Sequence, residues 1–190
     1  MPKVIVGEFV TLDGVTEDPD GSNGTPHGGW MFRYGPDAVA GDKFRLGTVL
    51  QTGVKVLGRA TWELLGGIFA SREDDFARAL AAMEKIVVSR TLTDVSAWAN
   101  STLLDGDLLD VVRERARHQD VVVVGSGSVV DQLVAHDLVD EFRLVVFPLV
   151  VGKGHRIFDA ATAPIDLELV SSEEAGGGAL RQVYARKGGR

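Results

Sequence analysis

Apolar and polar stretches alternate along the chain in a regular succession. "VIVGEFV" at residues 4–10 reads as a buried strand, and the "TLDGVTEDPDGSNGTPHGGW" after it, dense in Gly, Pro, Asp and Asn, reads as a long loop of the kind that carries function in compact domains. The spacing of Val39, Phe44, Gly47 and Leu50 behind Pro36 predicts a helix over 36–50. Residues 54–57 predict a strand, which breaks at Gly58 before "RATWELL" restarts with helical spacing. Phe76, Leu80 and Met83 then predict a helix over 73–83, residues 85–89 a strand, "STLL" a short strand, and Leu108, Leu109, Val112 and Ala116 a helix over 107–117.

"DVVVVG" is all apolar and β-branched, as expected of a strand in a sheet covered on both faces. A helix over 129–138 follows. The pattern then changes: "EFRLVVFPLVV", "IDLELVSSE" and "ALRQVYARK" predict three strands, and no helix-length segment separates the last two, so these pair antiparallel. The fold class is α/β: three layers built on a mixed, mostly parallel sheet of about eight strands with an antiparallel C-terminal part. With 190 residues, 45% of them hydrophobic, the whole of 1–190 suits one domain.

Charge and composition narrow the function. The formal net charge of -7 and the lack of any Lys/Arg block argue against nucleic acid, and zero cysteine excludes disulfides, thiolate metal sites and a Cys nucleophile. The histidines, His27, His118, His136 and His155, show no ligand spacing, so no metal is assigned. No stretch approaches the roughly 20 apolar residues of a membrane span, and no signal segment opens the chain. These features predict a cytoplasmic protein.

Ligands of open α/β sheets collect at the carboxyl ends of parallel strands. Four loops there hold candidate chemistry: Thr11-Leu12-Asp13-Gly14, Gly58-Arg59-Ala60-Thr61, Ser89-Arg90-Thr91 and Gly125-Ser126-Gly127-Ser128. The last is either a phosphate cradle at a helix N-terminus or a tight turn with a Ser N-cap. It is no dinucleotide fingerprint, since Val130 stands where the third small residue belongs; no serine forms a nucleophile elbow, and "GKGH" at 152–155 is no Walker loop. Arg59 and Arg90, each beside a hydroxyl, suit a phosphomonoester such as the 2'-phosphate of NADP. Trp30 and Phe32 could stack on a flat heterocycle or anchor their own loop.

"LGRATWE" (57–63), "KIVVSR" (85–90) and "VVVVGSGSVVDQL" (121–133), in this order, resemble the dihydrofolate reductase fold. "TLDG" and "EFRLVVFPLVVGKGHRIF" (141–158) resemble stand-alone relatives of the C-terminal reductase domain of bifunctional riboflavin-pathway enzymes. The resemblance implies an NADPH-dependent reductase passing a hydride to a C=N or C=O of a pterin- or aminopyrimidine-like heterocycle, in the manner of 5-amino-6-(5-phosphoribosylamino)uracil reductases. Dihydrofolate reduction proper and a non-catalytic nucleotide-binding role are the alternatives.

The same resemblance implies that Gly58, Arg59 and Thr61 contact the pyrophosphate and adenosine phosphate, Ser89 and Arg90 the 2'-phosphate side, and Gly125, Ser126, Gly127, Ser128 and Val129 the pyrophosphate. Asp13 and Gly14 would lie near the nicotinamide. An ungapped match back from Gly58 sets Asp42 where dihydrofolate reductases carry a buried carboxylate, so Asp42 and Asp13 are the candidate acids. Asp13 could equally cap the turn it begins, and Asp42 could lie on a solvated face. Glu17, Asp18 and Asp20 follow Gly14 with no base among them, which tells against a phosphorylated substrate. A homodimer is expected by analogy and from the apolar run at 145–151.

Overall fold

The computed structural model describes residues 1–188. Eight strands form one sheet in the order β4-β3-β2-β5-β1-β6-β8-β7. They are β1 (Val4–Thr11), β2 (Val54–Gly58), β3 (Glu84–Val88), β4 (Ser101–Leu103), β5 (Val121–Val124), β6 (Glu141–Phe147), β7 (Leu167–Gly176) and β8 (Ala179–Arg186). The first six lie parallel, while β8 runs antiparallel to both β6 and β7.

Alternating side chains cover both faces. On one, Val4, Val6, Val54, Val56, Val121 and Val123 meet Leu108 and Val112 of α4 (Leu108–Arg115) and Val130 and Leu133 of α5 (Gly127–Ala135). On the other, Ile5, Leu57, Val87, Val122 and Val145 meet Trp30, Phe44, α1 (Val49–Thr52), α2 (Arg59–Phe69) and α3 (Asp75–Ala82). Helix starts follow their caps: Asp74 accepts from the Ala77 N–H, and Asp107 from those of Leu109 and Asp110. None of the described helices is long and apolar enough to cross a membrane.

The helix expected over 36–50 does not form. Short 3-10 turns occupy Trp30–Tyr34 and Pro36–Ala38, and only Val49–Thr52 is α-helical. Gly41, Arg45 and Gly47 take φ of 74°, 49° and 54°, and the Asp42 carboxyl accepts the Leu46 and Gly47 N–H groups, holding a turn that a helix would have to erase. Phe44 and Leu50 are still buried.

The apolar run 145–151, expected to take part in self-association, divides in two, with Val150 near its end 65% exposed. Its first part is an interior strand, β6, paired on both sides, with Val145 and Phe147 fully buried.

Two lysines are buried inside the sheet. Lys85 donates to the carbonyls of Ala81, Met83 and Ala99 and lies over the Trp98 ring. Lys55, its register partner on β2, is 3% exposed. Burial pushes both ammonium groups down to about 8, with the Lys85 charge adding to the effect on Lys55.

Candidate active site

The sheet order places a topological switch between β5 and β1. The connection from β1 leads to β2 on one side, and that from β5 leads to β6 on the other, the arrangement at whose strand carboxyl ends open α/β sheets hold their ligands. Pairing of β1 with β5 stops at Gly7 and Val124, whereas β1 continues beside β6 to Thr11. Gly125 and Ser126 then turn the chain away with φ of 62° and 68°.

Two of the predicted turns meet there. The Ser126 hydroxyl does not cap its own helix; it accepts the Gly58 N–H at 2.7 Å, which helps hold a serine in left-handed backbone. A Cβ at Gly58 would lie 3.2 Å from Ser126, and one at Gly125 would lie 3.3 Å from the Thr61 methyl. The strand-to-helix turns of β2 and β5 are thus in contact, and α5 opens there with first-turn N–H groups that lack intrahelical acceptors. Ser128 is exposed and Val129 buried, so within this turn the first faces solvent and the second the core.

The third turn joins through Arg59. Its Nη1 donates to the Thr91 hydroxyl at 3.1 Å, and the Ser89 hydroxyl in turn accepts the N–H groups of Thr91 and Leu92. Arg90 is exposed, and Arg59 is half-exposed with Glu63 at 3.7 Å. Two guanidinium groups therefore stand at neighbouring strand ends, beside hydroxyls and a helix start. Such a set fits a nucleotide phosphate: forked donors for a phosphomonoester, and glycines that leave room for close approach.

Asp13 takes the capping role. It accepts from the Thr11 hydroxyl at 2.6 Å and from the N–H groups of Val151 and Gly152. The Thr11 hydroxyl above all, with these N–H groups, holds its carboxyl down at about 2. Gly14, at φ 85°, completes this turn against Arg156. Asp42 is half-buried and spends both oxygens on the turn described above. Trp30 is fully buried, edge-on to Phe147 with its Nε1 donating to the Glu17 carbonyl, so it anchors the loop; Phe32 is 57% exposed. Glu17 pairs with His27, and Asp18 accepts from Asn23 and Thr25, so these two acids are turned into the loop rather than towards a substrate.

One charged residue at the switch point carries no sequence motif. Glu8 lies on β1 directly after the last pair with β5 and is 6% exposed. Among the described residues no hydrogen bond reaches its carboxyl. Burial, and then the negative charge of Asp131 on α5, push its pKa up to about 8. Asp131 meets His155 Nε2 at 3.1 Å, and the His155 ring packs 3.4 Å from where a Cβ on Gly127 would stand. The only trace in the sequence is a glutamate interrupting an otherwise apolar strand. No group of His, Asp or Glu among the described residues could hold a metal.

The RibD C-terminal domain family model matches residues 2–180. The chain belongs to this family. It is 27% identical over 190 residues to YyaP of Bacillus subtilis (strain 168), a protein of uncharacterized function, covering 96% of this chain and 94% of that one. Among solved structures, a provisionally named riboflavin biosynthesis protein from Shewanella sp. PV-4 superposes with a TM-score of 0.73 at 20% identity, covering 97% and 99% of the two chains. Dihydrofolate reductase from Enterococcus faecalis, complexed with NADP(H), superposes with a TM-score of 0.59 at 14% identity over 97% and 96%. The diaminohydroxyphosphoribosylaminopyrimidine deaminase/5-amino-6-(5-phosphoribosylamino)uracil reductase of Thermotoga maritima gives 0.61 at 16% identity, and this chain spans 56% of it. The expected dihydrofolate reductase-like fold is thereby shown.

Proposed function

We propose that this protein is an NADPH-dependent reductase acting on a C=N or C=O bond of a small pyrimidine- or pterin-like heterocycle. The observation that carries the reading is the contact of the β2 and β5 turns at the switch point, with Arg59 reaching across to the Ser89–Thr91 loop. The family membership and the NADP(H) complex of a neighbour with this fold support it.

Gly58, Thr61 and the 125–129 turn would hold the pyrophosphate, and Arg59, Ser89 and Arg90 the 2'-phosphate. When bound, the dihydronicotinamide supplies a hydride, two electrons and one hydrogen, to the carbon of the substrate's double bond. The Asp13 turn orders the end of β1 beside that reaction, tying the first loop to the Val151-Gly152 backbone. Gly7 lets the Phe44 ring pack directly on β1, where a Cβ would meet that ring at 3.0 Å.

The test is a substrate panel containing 5-amino-6-(5-phosphoribosylamino)uracil, its dephosphorylated form and dihydrofolate, followed by loss of dihydronicotinamide absorbance. Turnover of a pyrimidine or pterin with NADPH is expected. Absence of turnover across the panel, with no NADPH binding, would leave a fold without this activity.

A further inference from the structure

We propose that Glu8 is the acid of this reductase, giving its carboxyl proton to the nitrogen or oxygen of the reduced bond. This rests on the reductase reading above. Hydride addition leaves an electron pair on that atom, and a nearby group must supply a proton. Asp13 is anchored as an anion and holds no proton to give, and both Asp42 oxygens are taken up by backbone N–H groups of its own turn.

Glu8 differs in position and surroundings. It stands where β1 parts from β5, the residue is 6% exposed, and among the described residues its carboxyl has no hydrogen-bond partner. By strand alternation it shares a face with Val6 and Val10, and its β6 neighbour is Leu144; all three belong to the apolar core. Asp131 from α5 is the charge that acts on Glu8, with His155 and Asp159 of the segment after β6 clustered beside Asp131; Arg156 lies 3.8 Å from Asp13. A like charge and an apolar wall both favour the neutral carboxyl.

The step balances. As the hydride joins carbon, the π pair moves to nitrogen or oxygen, the Glu8 O–H bond breaks, a new N–H or O–H bond forms, and a carboxylate remains. The carboxylate then regains its proton from solvent before the next turnover.

The test needs three readouts on the wild type and on Glu8→Gln. Difference infrared spectroscopy of the ligand-free protein should show a protonated-carboxyl C=O stretch at neutral pH that fades near pH 8 and is missing in the variant. Calorimetry should give the variant wild-type affinity for NADPH. Turnover of whichever panel substrate the wild type reduces should fall about 100-fold in Glu8→Gln, with Glu8→Asp retaining more. Absence of the infrared band, or a variant that turns over at the wild-type rate, overturns the role of Glu8 while NADPH binding keeps the reductase reading intact. A wild type that binds no NADPH overturns both.

Discussion

Glu8→Gln should make the protein more stable, and by a margin that grows with pH. Burial and Asp131 move the Glu8 carboxyl from 4.5 in the unfolded chain to about 8 in the folded one. Between those values the native state keeps a proton that the unfolded state has released. Because the folded pKa is the raised one, the contribution of Glu8 is complete below pH 4.5 and is lost as pH climbs through 8. At about 1.4 kcal/mol per pH unit, the loss is about 3 kcal/mol at pH 7 and approaches about 5 kcal/mol past pH 8. Glutamine has nearly the shape and polarity of the protonated acid but never ionises. The variant should therefore match the wild type near pH 4.5 and exceed it progressively above. Urea unfolding from pH 5 to 8 measures this as a widening gap in midpoint at constant slope. A gap that stays constant with pH would refute the reasoning, because it would mean that Glu8 is ionised in the folded protein like any surface carboxylate.

Arg59→Ala should weaken NADPH about 10- to 100-fold, the worth of one or two charge-assisted bonds, and leave NADH affinity nearly unchanged, as read by calorimetry. Ser126→Ala removes the acceptor of the Gly58 N–H and should cost about 1–2 kcal/mol of stability in urea unfolding, together with a loss of NADPH affinity, because the two touching turns lose their tie. Lys85→Met leaves three carbonyls without their shared donor and should cost about 3 kcal/mol, read the same way.

Strands β1, β2, β3 and β5 were legible because each is a short run rich in β-branched residues. "VVVV" could be only a sheet interior, and the change of pattern after residue 140 marked the antiparallel hairpin. The 36–50 segment was not legible as a non-helix. Its apolar spacing imitates a helix, and what decides against one is Asp42 closing a turn onto Leu46 and Gly47. The phosphate turns could be read one by one from Gly, Arg and Ser at strand ends, but not the Ser126–Gly58 bond that joins two of them, since it spans 68 positions. Trp30 on a Gly-rich loop looked ready to stack on a ligand, yet Phe147, from the far end of the sequence, buries it. Glu8 was visible only as a break in a hydrophobic run. Its meaning depends on Asp131 and on where β1 leaves β5, both set by the tertiary fold.

The most direct measurement of the central claim is calorimetric titration of the protein with NADPH and, separately, with NADH. The account predicts micromolar NADPH binding and NADH binding weaker by the loss of the 2'-phosphate contacts to Arg59 and Arg90. Equal affinity for the two would contradict the placement of that phosphate, and binding of neither would contradict the reductase reading itself.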